Sequence, residues 1–361
     1  MRLRHYVRPG TGLVLAAVYG SLLAPPARAQ DLSALTGENQ RPLQITGFGV
    51  GNYAYEARTH DNSFAASKIA VSLFKEVTDQ VWFFGQLTTA EDGTEIDNFI
   101  ASWTPAGAPA FNLSAGKFDA PIGFERDDEP LNLQPTRSFV SDLARPTKLV
   151  GVVGRWTVSP QVDLTAMLGN GWDADLSQNH GKTAGARLGW IPNERTSFGL
   201  AGLYGPEGPT DSTINRYVLT LDYAYQPTPA WILAGEGDWG GDRGVLPGGA
   251  DAKWYGAQLS VFRRLGRSFG TLVRGEVFRD RDGARTGTPQ TMESYTVAPV
   301  YFIGAGREGV FANIEHTTFR IPRFQLRAEA RLNHSNMPVF ATGTGPGTWA
   351  LQLALQLVTL F

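Results

Sequence analysis

The stretch FQLRAEARLN (324–333) decides the fold. Phe324, Leu326, Ala328, Ala330 and Leu332 alternate with Gln325, Arg327, Glu329, Arg331 and Asn333. A helix, at 3.6 residues per turn, would scatter those charges around its axis. A strand, with a period of two, gathers them on one face and leaves the other apolar. The last thirteen residues, WALQLALQLVTLF (349–361), are ambiguous alone. Trp349, Leu351, Leu353, Leu355, Leu357, Thr359 and Phe361 fit one strand face, but Gln352, Gln356 and Thr359 also fall at i, i+4 and i+7 among good helix formers. The 324–333 pattern and its repeats resolve this in favour of a strand.

Those repeats run through the chain. Ile69, Val71 and Leu73 alternate with small or polar residues; so do Phe111, Leu113 and Ala115, then Ala184, Ala186, Leu188 and Trp190, then Tyr217, Leu219, Leu221, Tyr223 and Tyr225. The chain has 42 Gly, 20 Phe, 11 Tyr and 9 Trp, with 18% charged residues, and every apolar run after the first thirty residues is short. A soluble exported protein would not need so much aromatic surface. A transmembrane β-barrel does, because only alternate residues face lipid. At the N-terminus, Arg2, Arg4 and Arg8, an apolar core over 11–24 and the Ala27-Arg28-Ala29 signature predict a signal peptide, 1–29, cleaved before Gln30. A short periplasmic segment (30–42) should follow, then one barrel domain (43–361). The absence of cysteine rules out disulfide and thiolate chemistry. A net charge of −2 gives no electrostatic case for nucleic acid. The five histidines lack metal-binding spacing, and there is no phosphate loop or nucleophile elbow, so neither cofactor nor metal is expected.

Alternating segments fall near 43–57, 63–76, 81–90, 95–104, 110–118, 148–158, 161–170, 182–192, 195–205, 213–226, 230–239, 252–263, 268–279, 290–303, 309–319, 323–333 and 348–361. That makes seventeen, whereas single-chain bacterial barrels have even counts. The segment 309–319 breaks the rhythm of loop lengths, so 304–322 reads as one periplasmic connection. The fold class is then an all-β, antiparallel barrel of about sixteen strands, with eighteen as runner-up. Tight connections at 76–80, 104–109, 159–161, 192–195, 226–229 and 263–267 predict short periplasmic turns. Polar stretches at 91–95, 172–182, 205–213, 240–251, 279–290 and 335–347 predict long extracellular loops.

One connection is far longer than its peers: 117–148, with 119–147 as a constriction loop folded into the lumen. Long loops of this kind are usually functional, and a sixteen-stranded lumen needs an inward element to select anything. Its candidate constriction residues are Asp119, Glu125, Arg126, Asp127, Asp128, Glu129, Arg137, Asp142 and Arg145, stiffened by Pro121, Pro130, Pro135 and Pro146. The pore wall is assigned Arg155, Arg187, Asp222, Glu236, Asp238, Arg274, Glu276, Arg327, Glu329 and Arg331, because Arg or Lys on the lipid face would cost ~2–4 kcal/mol at the midplane. Two readings stand: a transverse field of acidic loop against arginine wall, or a salt-bridged lining in which Arg327, Glu329 and Arg331 pair across strands. Trp349 and Phe361 are candidate membrane-interface anchors.

GKFDAPIGFE (116–125), the following LNLQPTRS, the Arg327-x-Glu329-x-Arg331 strand before Asn333-His334-Ser335, and the terminal Phe361 resemble the OmpL-like β-barrel porin family. The resemblance implies an outer-membrane channel for passive diffusion of small hydrophilic solutes or ions, not an enzyme. The alternative is a barrel with a plugged lumen that binds or anchors at the cell surface. The partners implied are outer-membrane lipid and lipopolysaccharide, the barrel assembly machinery reading the last strand, and small solutes. A homotrimer is the assembly common to sixteen-stranded porins.

Overall fold

The computed structural model describes residues 41–177, 179–207, 214–303 and 324–361. The first five strands are β1 (Gln44–Glu56), β2 (Asn62–Glu76), β3 (Val81–Ala90), β4 (Gly93–Trp103) and β5 (Phe111–Asp119). After a long connection come β6 (Lys148–Ser159), β7 (Val162–Gly169), β8 (Thr183–Asn193), β9 (Thr196–Pro206), β10 (Asn215–Thr228) and β11 (Trp231–Leu246). The chain finishes with β12 (Ala250–Arg264), β13 (Phe269–Asp280), β14 (Gln290–Ile303), β15 (Phe324–Ser335) and β16 (Trp349–Leu360). Each strand pairs antiparallel with its sequence neighbours, and β1 pairs with β16 to close the barrel. Among the described residues no helix is long and apolar enough to cross a membrane.

The alternation sets the two surfaces. Leu219, Leu221, Val273, Val297, Leu326 and Leu355 point out and are exposed, while their sequence neighbours Thr220, Arg274, Thr296, Arg327 and Gln356 point in and are buried. Closure of the ladder through β1 and β16 satisfies the strand backbone laterally and leaves no edge, which a lipid-embedded sheet requires. The terminal segment is strand β16, as its company predicts. Phe361 N–H donates to the Gly47 carbonyl and receives the reciprocal bond, 3.0 and 3.1 Å, and its ring lies over Gly47. A Cβ on Gly47 would stand 2.5 Å from that ring and 2.4 Å from the Ala70 carbonyl, so glycine is required at this seam.

The sixteen-strand reading agrees with the closed barrel. The doubtful stretch 304–322, the signal peptide and all but the last two residues of the 30–42 segment lie outside the described residues. Two loop expectations are corrected. Strands β11 and β12 continue through most of 240–251 and leave only the turn Pro247–Gly249, so this stretch is a hairpin that lengthens the wall. The expected loop 91–95 is a tight turn: Ala90 pairs with Gly93 across Glu91 and Asp92, with Gly93 at φ 135°. Both stretches are polar because they sit at a wetted rim, and polarity alone does not distinguish a loop from a strand end.

Candidate pore constriction

The 120–147 segment leaves β5 and returns to β6 through a stem closed by Ala120 N–H to the Thr147 carbonyl, 2.8 Å. The backbone here needs glycine at two places. Gly116, at φ 135° on β5 just before the segment, lets that strand run close to β4, where a Cβ would meet the Phe99 carbonyl at 1.7 Å. Gly123, at φ 77°, lies flat under the Arg145 guanidinium, 2.2 Å from where a Cβ would stand. Side chains on either side of Gly123 then anchor the segment to the inner wall. Ile122 packs with Val140, Ala144, Trp172, Trp254 and Phe278. Phe124 and Leu133 pack with Ile232, Ala234, Phe262 and Leu272. A short helix, α1 (Phe139–Leu143), is capped by Ser138, whose Oγ accepts the Ser141 N–H at 3.0 Å. Trp254 Nε1 donates to the Ala144 carbonyl at its end, 3.0 Å.

Electrostatic pairing completes the hold. The Arg145 Nε donates to Glu236 on β11 at 2.5 Å, and Glu236 also accepts the Phe124 N–H. Glu125 takes four donors, each at 2.7 Å: Arg274 on β13, Gln134 Nε2, and both N–H and Oγ of Ser138. Burial would push the Glu125 carboxyl up, but Arg274 and the Ser138 bonds outweigh it and hold it down at about 2. Asp127 meets Lys148 at 3.2 Å and Arg137 at 3.0 Å, and Arg137 also meets the exposed Asp142 at 2.8 Å. Asp119 meets Lys148 at 2.5 Å. Glu129 reaches across to Lys68 on β2, 3.2 Å, and Asp128 to Gln86 Nε2 on β3, 2.9 Å. Arg126 lies toward Arg187 and Asp222; burial and the neighbouring Arg187 lower its guanidinium to about 10. These contacts set Glu125, Arg126, Asp127, Asp128, Glu129, Arg137 and Arg145 against lumen-facing positions of β2, β3, β6, β8, β10, β11, β13 and β15, while Asp119 ties β5 to β6 and the exposed Asp142 pairs with Arg137 of the loop itself.

The wall candidates also point inward. Arg187 forks onto Asp222 at 2.5 and 2.9 Å, lying over Gly199, which leaves it room. Arg155 pairs with Asp163 at 3.1 Å. Arg327, Glu329 and Arg331 on β15 reach both other strands and the loop: Arg327 donates to Gln356 on β16 at 3.0 Å. Arg331 pairs with Glu276 two strands away, 3.0 Å, and donates to the Arg137 carbonyl, 2.9 Å. Glu329 accepts from Thr136 Oγ1, 2.6 Å, and Arg327 donates to the Glu129 carbonyl, 2.9 Å. Arg331 likewise donates to Ser294 on the flanking β14 at 3.0 Å, so wall and loop share these side chains. Lys68, Gln86, Asp97 and Asp163 complete these networks without being expected in them. Lys68 had a signal in its place on the polar side of the 68–73 alternation; the others depend on register between elements distant in sequence.

One part of the inner wall is left uncovered. Inward positions of β10 through β15 are buried against the loop and its clusters, Thr220, Glu236, Gln258, Arg274, Thr296 and Arg327 among them. On β16, β1 and β2, by contrast, Gln352, Ala54 and Ser63 are exposed, with Asn52, Ala65 and Ala354 half-buried. The register Asn52↔Gln356, Ala54↔Ala354 and Asn52↔Ala65 places them side by side on the lumen face. This strip carries amides, a hydroxyl and, opposite Gln352 on β1, the carboxylate of Glu56.

Trp349, at the loop end of β16, is exposed with its ring 4.2 Å from that of His334, and Phe361 is exposed at the opposite end. Among the described residues no group of three or more His, Cys, Asp or Glu could hold a metal ion.

Comparison with solved structures gives the same architecture. The outer-membrane channel DcaP of Acinetobacter baumannii superposes with a TM-score of 0.63 at 10% identity, covering 89% of this chain and 97% of that one. An anion-selective porin from Comamonas acidovorans gives 0.60 at 11% identity, with 89% and 100% covered. The trimer form of Vibrio cholerae OmpT gives 0.55 at 8% identity, with 90% and 100% covered. No curated protein matches the sequence. The family described as "Putative beta-barrel porin-2, OmpL-like" matches residues 69–361. The chain therefore belongs to the OmpL-like porin-2 family of outer-membrane β-barrels.

Proposed function

We propose that this porin is a weakly selective, water-filled channel for passive diffusion of small hydrophilic solutes and ions, with the 120–147 loop as its constriction. The observation that carries this reading is the uncovered polar strip of Asn52, Ala54, Ser63 and Gln352 beside a loop packed against the opposite wall. The strip wets the lumen from its loop end down to the 127–130 tip, below which Val50, Ala70 and Gln356 are buried, so the tip stands where a constriction belongs. The pairing of Glu125, Arg145, Arg187, Arg274 and Arg331 argues for weak selectivity, because paired charges project little net field into a passage. The plugged-lumen alternative draws on the same packing and predicts no current. Export through the periplasm, folding by the barrel assembly machinery at the last strand, contact with lipopolysaccharide, and a homotrimeric assembly belong to this proposal.

The test is single-channel recording of the refolded protein in a planar bilayer with a salt gradient, alongside a deletion of 123–140. Discrete steps with a small reversal potential, enlarged by the deletion, support the reading. Unchanged conductance in the deletion removes the loop from the constriction, and absence of current in the intact protein overturns the channel.

A further inference from the structure

The loop tip carries one acid too many. Lys148 on β6 has three N–H donors and three carboxylates to receive them: Asp97 at 2.6 Å, Asp119 at 2.5 Å and Asp127 at 3.2 Å. Lys68 on β2 serves Glu129, and Arg137 serves Asp127 and Asp142. Arg327 on β15 faces the Glu129 carbonyl. Asp128, 2% exposed, receives none of these cations. Its Oδ1 accepts from Gln86 Nε2 at 2.9 Å, and the same amide donates to Asp97 at 3.0 Å. Its Oδ2 is buried with no hydrogen-bond partner. An ionised carboxylate in that position would keep a bare oxygen out of water beside Asp97, Asp127 and Glu129, an arrangement that buried charge does not tolerate.

We propose that Asp128 is a proton-binding site: it sits at the loop tip as a neutral carboxylic acid, and losing that proton releases the tip from β3. Burial, opposed by Lys148 and reinforced by Glu129, raises this carboxyl from 3.8 to about 7. A group raised in the docked state stabilises docking fully below its free value of 3.8. That contribution declines as pH rises and is lost once pH passes about 7. The tip touches β2, β3 and β15, on the side of the uncovered strip, so its release widens the passage. This last step rests on the channel reading above; the proton site does not.

Asp128→Asn tests it, since an amide keeps the oxygen that accepts from Gln86 and supplies N–H where the proton would be. Infrared spectra of the full-length protein in lipid, titrated between about pH 5 and about pH 9, should show a neutral carboxylic acid band that disappears with a midpoint near 7. The band should be missing in Asp128→Asn and retained in Asp119→Asn. Single-channel conductance of the wild type should rise through the same midpoint, while Asp128→Asn stays at the acid value throughout. A band of the same midpoint and unchanged intensity in Asp128→Asn, or no titrating band at all, overturns the proton site. A titrating band with pH-independent conductance overturns the coupling to the passage. Absence of current in every variant overturns the channel reading, and the infrared result still decides the proton.

Discussion

Replacing Glu125 by Gln tests whether buried pairing holds the loop against the wall. Glu125 lies 2.7 Å from Arg274 and from three further donors, with 2% of its surface exposed. Its carboxyl is held at about 2, against 4.5 when free. At 1.36 kcal/mol per pH unit that difference is about 3 kcal/mol favouring the ionised, docked state, within the range of about 3–5 kcal/mol for breaking a buried pair from one side. Gln leaves Arg274 buried with Glu276 at 3.6 Å as its nearest carboxylate, and it turns an N–H₂ toward Gln134, itself a donor. The barrel ladder is untouched, so the loss falls on the loop. About 3 kcal/mol is roughly a hundredfold change in the ratio of docked to undocked loop. Amide hydrogen exchange reads that ratio directly, because Phe124 and Ser138 both donate into this network. Exchange at these amides should quicken about a hundredfold in Glu125→Gln, and open-channel current should become noisy. The sign with pH follows from the depressed carboxyl: its contribution is present above 4.5 and is lost as pH falls through about 2. Wild type should therefore keep its protection in mild acid and resemble the variant only near that value. Protection at Phe124 and Ser138 equal to wild type, with a quiet channel, would refute the reasoning: packing by Ile122, Phe124 and Leu133 would then suffice alone.

Two further predictions concern the barrel. Leu221→Arg puts a charge on the lipid face, where Leu221 is 55% exposed between inward Thr220 and Asp222; denaturant unfolding in lipid vesicles should show a loss of ~2–4 kcal/mol. Gly47→Val forces a branched side chain onto the Ala70 carbonyl and the Phe361 ring; the seam should open, and heat-modified migration on a gel should begin at a lower temperature than in wild type.

The strands were legible because their pattern is local. Alternation in 63–76, 81–90 and 290–303 matches β2, β3 and β14 within a residue at each end, since lipid and lumen impose opposite demands on adjacent side chains. Inward charge was legible for the same reason. Loop length was less so at 91–95 and 240–251, where strands run beyond the membrane into water and shed the apolar half of their pattern. Partner identity was least legible. Nothing adjacent to Glu125 in sequence indicates Arg274, nor does anything near Asp128 indicate Gln86. Those pairs follow from the path of an irregular loop, which has no periodicity to read.

That path explains why the lumen can be charged and rigid together. A loop held only by ion pairs would depend on water staying out of them, and a porin lumen is wet. Here apolar clusters lie on both sides of the pairs. Ile122 and Val140 sit with Trp172 and Trp254 on one side, and Phe124 and Leu133 sit with Ile232 and Phe262 on the other. Between them Glu125, Arg145, Glu236 and Arg274 are sealed from solvent, where each pair is strong and each unpaired charge is costly. At Lys68 and Glu129 that cover thins, and both side chains remain partly exposed. The same loop is thus fixed at its base and titratable at its tip, so a change in the passage should begin at 127–130 and leave the Glu125–Arg274 pair closed.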